Sequence, residues 1–163
     1  MQNTDIIGRA IPNVALGYIE DGAVRSISTT EFFSGGKAIA IGVAGAYLPV
    51  CSAQHVPDFV KSAYKLRMAG YGKIVCIAPN DPFVMLAWSR QVDPSGNLVF
   101  LSDGNLALAR AFAVTKNLSS IFVGERPERY MMVTERGFVR RFQTEPDILT
   151  LSRTRAVDAL KAA

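Results

Sequence analysis

Cysteine is scarce in this chain, limited to Cys51 and Cys76, and His55 is the sole histidine. The two cysteines form no C-x-x-C pair and no cluster with histidine. That argues against a structural zinc site, or any other metal site, and against a dithiol oxidoreductase of the thioredoxin type. No apolar run approaches the roughly 18–20 residues needed to cross a bilayer. Residues 1–5 show no basic stretch leading into an apolar one, so no secretory leader is read there, and a cytoplasmic location is the expectation. In that compartment two cysteines are expected to be reduced. The chain shows no linker, internal repeat or low-complexity stretch. With 163 residues and 49% hydrophobic content, it suits one domain over residues 1–163 with one buried core.

The charge is mildly basic, net +4 with a pI near 9.3. It is uneven: residues 126–163 hold eight Lys/Arg against five Asp/Glu. A nucleic-acid surface requires denser clustering together with stacking aromatics or a known motif. Neither is present, so no nucleic-acid partner and no membrane association is expected.

Residues 13–28 alternate as a β-hairpin does, with Val14, Leu16 and Tyr18 before an Asp21-Gly22 turn and Val24 and Ile27 after it. Ser28 to Glu31 has capping-box spacing and predicts a short helical turn carrying Phe32 and Phe33. Residues 38–43 form a continuous apolar run, expected of a strand buried on both faces. After a loop over residues 44–49, Val56, Phe59, Val60, Tyr64, Leu66 and Met68 predict a helix to about residue 69, ended by Gly70 and Gly72. Strands are expected over 73–78 and 98–101, with a helix opened by Asp81-Pro82 and another over 105–113. Residues 130–134 and 138–143 read as a second hairpin, and residues 151–161 as a last helix. This order predicts an α/β fold: a three-layer α/β/α sandwich with a central mixed sheet and an N-terminal β-hairpin.

Cys51 and Cys76 differ in context. Cys51 follows a buried strand and a glycine-containing loop, where a helix begins. Ligands bind beyond the carboxyl ends of strands in such folds. Backbone N–H groups at a helix start favour a thiolate, the nucleophilic form of cysteine. The plain alternative is an unreactive, half-buried helix cysteine. Cys76 sits among Ile74, Val75, Ile77 and Ala78, where it reads as a small core hydrophobe.

Four segments in order carry a resemblance. Gly45-Ala46-Tyr47-Leu48-Pro49-Val50-Cys51-Ser52, followed by His55-Val56-Pro57, is similar to the peroxidatic loop P-G-A-F-T-P-x-C-S-x-x-H-x-P of the type II, or peroxiredoxin-5-like, peroxiredoxins. Cys76 through Trp88, with Asn80-Asp81-Pro82-Phe83-Val84, resembles the C-x-x-x-N-D-x-F-V block of that branch. Phe100-Leu101-Ser102-Asp103 resembles its F-L-x-D, and Gly124 through Tyr130 its G-x-R-x-x-R-Y/F. The resemblance implies a thioredoxin-like fold and a thiol peroxidase that reduces hydrogen peroxide or alkyl hydroperoxides. It implies that Cys51 attacks the terminal peroxide oxygen and becomes a sulfenic acid. Arg129 would hold the thiolate and polarise the peroxide. Backbone N–H groups near Cys51 would stabilise the leaving oxygen. Ala44, Gly45, Leu48, Pro49 and Val50 would line the substrate pocket, with His55, Asn80 and Asp81 in support. No cofactor is implied beyond an external thiol, supplied by glutaredoxin with glutathione or by thioredoxin, and the family analogy suggests a homodimer packed near the active-site loops.

Two positions depart from the pattern. The family proline that shields the cysteine is Ala44 here, and the family threonine is Leu48, which has neither donor nor acceptor. A lost oxyanion-type hydrogen bond costs roughly 3–4 kcal/mol, a hundredfold or more in rate. Two readings therefore stand at this stage: a peroxidase, and a catalytically weak or inactive descendant serving as redox sensor or partner-binding domain.

Overall fold

The computed structural model describes residues 4–161. Residues 1–3, part of the segment read for a leader, and residues 162–163 lie outside the described residues. The N-terminal hairpin is present as β1 (Ala15–Glu20) and β2 (Ala23–Ser28), in register from Ala15–Ser28 to Glu20–Ala23. Asp21 and Gly22 both take positive φ, 50° and 75°, the twist a two-residue hairpin turn requires. The Ser28 hydroxyl accepts from Glu31 N and starts α1 (Thr29–Phe32), as its spacing predicts.

The apolar runs form the centre of the sheet. These are β3 (Lys37–Gly42), β4 (Tyr71–Ala78) and β5 (Val99–Ser102), which pair in parallel. Further on lie β6 (Thr115–Asn117) and β7 (Glu125–Pro127), which pair with each other, then β8 (Tyr130–Glu135) and β9 (Phe138–Thr144). The main sheet runs β2-β1-β5-β4-β3-β8-β9, with β8 antiparallel to β3 and β1 antiparallel to β5 at Gly17–Ser102. It is the mixed sheet expected, with both hairpins built onto its edges.

Side-chain alternation splits β3 and β4 between two cores. Ile39, Ile41, Ile74 and Cys76 face α2 (Val56–Met68), α3 (Pro82–Val92) and α5 (Ala156–Leu160), among Phe59, Leu66, Trp88 and Ala156. Ala38, Ala40, Val75 and Ile77 face Phe33, Leu108 and Phe112, the last two at α4 (Ala107–Ala111). Asp103 accepts from Leu108 N and Ala109 N and caps α4, which gives the F-L-x-D segment a structural purpose.

Several details differ from the sequence expectation. Tyr64 and Met68 point to solvent, and the buried stripe of α2 is Val56, Phe59, Ala63 and Leu66. Tyrosine and methionine have apolar bodies that water tolerates when exposed singly, so periodicity alone overcounted the stripe. Gly70, at φ 95°, ends α2, whereas Gly72 lies within β4. The helix expected over 105–113 is confined to Ala107–Ala111, because Leu106 is left-handed at φ 55°. The last helix spans only Ala156–Leu160; residues 152–154 wrap instead around the Glu145 carboxylate.

Candidate active site

The site lies at the carboxyl end of β3. Gly42 is required there, because a Cβ would stand 1.9 Å from the Tyr130 ring that covers it. The following loop is pinned from two sides. Asn80 Oδ1 accepts from Ala46 N at 2.8 Å, and Arg126 Nη1 donates to the Ala44 carbonyl at 3.1 Å while its Nε donates to Val123 O. Tyr47 turns the loop in the left-handed region, at φ 64°. Pro49 and Val50 then open a helical run that passes through a π turn, Cys51–His55, into α2. Sequence periodicity does not register a π turn, which adds one residue to the helix.

Cys51 is fully buried, and so is Cys76, so burial does not separate the two thiols. Their partners do. Arg129, itself 1% exposed, donates from Nη2 to Cys51 Sγ at 3.3 Å and to Ile148 O at 2.6 Å. Its Nη1 lies 3.0 Å from His55 Nδ1. Its Nε is buried with no hydrogen-bond partner among the described residues. A guanidinium against the sulfur stabilises negative charge there and is well placed for a second, small polar molecule. Cys76 lies within β4, where burial pushes its thiol well up, the neighbouring Cys51 adds to the effect, and the charge of Arg129 only partly opposes it.

His55 is an acceptor toward Arg129. Its Nε2 is 2.8 Å from the Thr154 carbonyl, which can only accept, so Nε2 carries the proton and Nδ1 offers its lone pair to the guanidinium. Burial, then the charge of Arg129, lowers its pKa to about 3, so the ring is neutral at physiological pH. A neutral, doubly engaged imidazole orients Arg129 and has no proton to give at Nδ1.

The remaining expected residues divide by position. Ala44 and Val50 are buried, Leu48 is half-buried and packs against the cluster that holds Cys51, and Pro49 is exposed. A Cβ on Gly45 would meet Arg126 Nη1 at 2.5 Å, so a side chain there would push the guanidinium off the Ala44 carbonyl. Asp81 caps α3, accepting from Phe83 N and Val84 N, and so shapes the scaffold. Of the backbone donors expected near Cys51, Ser52 N is taken by Leu48 O at 3.0 Å. Two residues escaped sequence reasoning. Trp88 Nε1 donates to Ser52 Oγ at 3.0 Å, locking the residue after Cys51, and Glu145 organises the chain that meets Arg129 and His55. The Trp88 signal was present in the Cys76–Trp88 block; Glu145 carried none.

The buried Arg129–Cys51 pair sits beyond the carboxyl end of a central strand of a thioredoxin-like α/β sheet. The profile of the Redoxin family matches residues 7–160, and the chain belongs to that family. Its relatives are peroxiredoxins. Peroxiredoxin-2E-2, chloroplastic, of Oryza sativa subsp. japonica is 35% identical over 147 residues, 87% of this chain, which spans 65% of that relative's length. Peroxiredoxin-2E, chloroplastic, of Arabidopsis thaliana is 33% identical over 96% of this chain and 68% of its own. Among solved structures, reduced Prx3 from Vibrio vulnificus in complex with H2O2 superposes with a TM-score of 0.90 at 27% identity, covering 96% of this chain and 97% of that one. Peroxiredoxin 5 from Alvinella pompejana gives 0.84 at 31% identity, covering 96% of each.

Proposed function

We propose that the protein is a thiol-dependent peroxidase that reduces hydrogen peroxide or alkyl hydroperoxides at Cys51. The observation that carries this reading is the Arg129 guanidinium on Cys51 Sγ, itself oriented by a neutral His55. The Cys51 thiolate attacks the terminal peroxide oxygen, the O–O bond breaks, and its electron pair leaves with the distal oxygen. That oxygen takes a proton and departs as water or an alcohol, leaving Cys51 as a sulfenic acid. Arg129 stabilises the charge that moves from sulfur to oxygen, its Nε being the donor left for the peroxide. An external thiol then attacks the sulfenic sulfur, water leaves, and a second thiol reduces the mixed disulfide. Glutaredoxin with glutathione, or thioredoxin, fits that role, and no prosthetic group is called for.

In this reading Ala44, Gly45, Leu48, Pro49 and Val50 form the mouth of the site, and Asn80 and Asp81 hold its frame. Residues 1–163 act as one domain, supported by the family match over 7–160 and one seven-stranded sheet. A homodimer is supported by exposed Tyr47, Phe83 and Phe122 on three segments tied to residues 44–46 through Asn80 and Arg126. Among the described residues no helix is long and apolar enough to cross a membrane. Two free cysteines suit a reducing compartment such as the cytoplasm.

The deciding experiment is stopped-flow loss of reduced Cys51 on mixing with hydrogen peroxide, with Cys51→Ser as control. Reaction far faster than that of free cysteine supports the peroxidase. A rate equal to free cysteine means that Leu48 and Ala44 have ended catalysis and that the fold serves sensing or binding.

A further inference from the structure

Residues 145–154 leave β9 and fold back over the site as a strap, and both carbonyls that orient the catalytic pair come from it. Ile148 O accepts from Arg129 Nη2, and Thr154 O accepts from His55 Nε2. Isolated carbonyls on an irregular segment make poor anchors unless the segment is itself held. Here the holder is one side chain. Glu145 is 2% exposed, and its Oε1 accepts from Ser152 N at 2.8 Å, Arg153 N at 2.6 Å, Thr154 N at 2.9 Å and Thr154 Oγ1 at 3.0 Å. Its Oε2 accepts from Ser152 Oγ at 2.9 Å, and its own N–H donates to Arg129 O at 2.9 Å. The strap is also tied at its far end, where Ala156 N donates to Asp58 Oδ2 on α2, and near its start, where Lys116 Nζ donates to Pro146 O.

We propose that Glu145 is a positioning residue for the Cys51 site: its carboxylate gathers residues 152–154 so that the Thr154 carbonyl fixes the His55 tautomer, and closes the strap so that the Ile148 carbonyl holds Arg129. Glu145 touches neither Cys51 nor a substrate. It acts through His55 and Arg129, and a neutral, well-packed substitute cannot do the same, because three successive backbone N–H groups converge on a charged oxygen. Burial opposes the ionised carboxylate, but the hydrogen bonds from Arg153, Ser152 and Thr154 outweigh it and hold Glu145 below the usual range. The proposal rests on the assignment of Cys51 and Arg129 made above.

The test compares the full-length protein with Glu145→Gln and Glu145→Ala by two measurements. The first is the second-order rate of Cys51 oxidation by hydrogen peroxide. The second is the ¹⁵N spectrum of the single imidazole, which distinguishes its tautomers. Glu145→Ala is expected to lose roughly tenfold to a hundredfold in rate, the scale of a small misplacement of a reacting group, and to convert His55 from Nε2–H alone to a tautomer mixture. Glu145→Gln, which keeps one acceptor oxygen, falls between. A folded Glu145→Ala protein with wild-type rate and an unchanged His55 spectrum overturns the proposal, as does a lowered melting temperature with both readouts unmoved. If Glu145→Ala does not fold, Glu145→Gln decides by the same two readouts. If the wild type itself is inert to peroxide, the peroxidase reading falls, and the His55 spectrum alone judges the strap.

Discussion

Arg129 and His55, 74 positions apart in sequence, meet as donor and acceptor at 3.0 Å between Nη1 and Nδ1, both buried. The direction of this bond means that the imidazole must stay neutral for the guanidinium to keep its orientation. A protonated His55 would set two cations against each other in a site closed to water.

The first prediction follows for acid. His55 titrates near 3 when folded and near 6.5 when unfolded, so below pH 6.5 the unfolded chain binds a proton that the folded chain refuses. Stability from this group is present above pH 6.5 and is lost as pH falls toward 3, at up to about 1.4 kcal/mol per pH unit. Glu145, held below its ordinary range, adds to the loss at the acid end with the same sign. Because the chain has one histidine, proton NMR reads a single imidazole, expected to show no titration between pH 8 and 5. A midpoint near 6.5 in the folded protein would contradict the arrangement.

A second prediction concerns Arg129→Lys. Lysine keeps the charge but lacks the fork that meets Cys51, His55 and Ile148 together. The rate with hydrogen peroxide is expected to fall about a hundredfold or more, with Cys51 still present by mass. A loss under threefold would show that charge alone, and not geometry, is what the site uses.

Leu48→Thr is expected to raise peroxide reactivity. Leu48 packs against the cluster around Cys51 and offers no hydrogen bond, whereas threonine restores a hydroxyl and removes bulk at the mouth. A gain of about tenfold or more is the scale of one recovered hydrogen bond in a dry site. Adding Ala44→Pro should increase it further, since the two positions share one loop. Single and double variants with unchanged rates would mean that the loop has settled into a different way of binding peroxide.

The recycling step is expected to need one cysteine of this chain. Cys76 is enclosed in β4 between β3 and β5, and burial keeps its thiol protonated. One equivalent of peroxide without added thiol should give a sulfenic acid on Cys51 that dimedone traps, and Cys76→Ala should keep the wild-type oxidation rate. An intramolecular Cys51–Cys76 disulfide in high yield would refute the one-cysteine cycle.

The fold was legible because the cues are local. Alternation gave the N-terminal hairpin, the two runs flanking Glu135-Arg136-Gly137 gave the second, apolar runs gave β3 and β4, and Asp81-Pro82 gave the start of α3. Cys51 was legible from its place after a buried strand at the start of a helix, and Arg129 only through the resemblance to the peroxiredoxin segments; the structure brings them together. What escaped depends on side chains reaching across the fold. Nothing in the local pattern of residues 151–155 opposes a helix; the Glu145 carboxylate outcompetes it by offering the N–H groups of residues 152–154 a better acceptor. The β6–β7 pair escaped because three-residue strands carry too little periodicity to register. His55 showed its position but not its direction, which the Thr154 carbonyl sets from 99 residues away.

The π turn over Cys51–His55 sets stability and activity against each other. A π turn has poorer hydrogen-bond geometry than the α-helix that continues it. Deleting one residue between 52 and 54 would let the helix run as regular α from Pro49 to Met68, and such a chain is expected to melt higher. The same deletion would swing the sulfur by about 100° around the helix axis relative to Phe59 and Leu66, at 3.6 residues per turn. The stripe that docks α2 on the sheet would stay, and Cys51 would turn away from Arg129. The extra residue is thus a phase adjustment, keeping a helix that is locked to the core by one face in step with a sulfur that must point elsewhere.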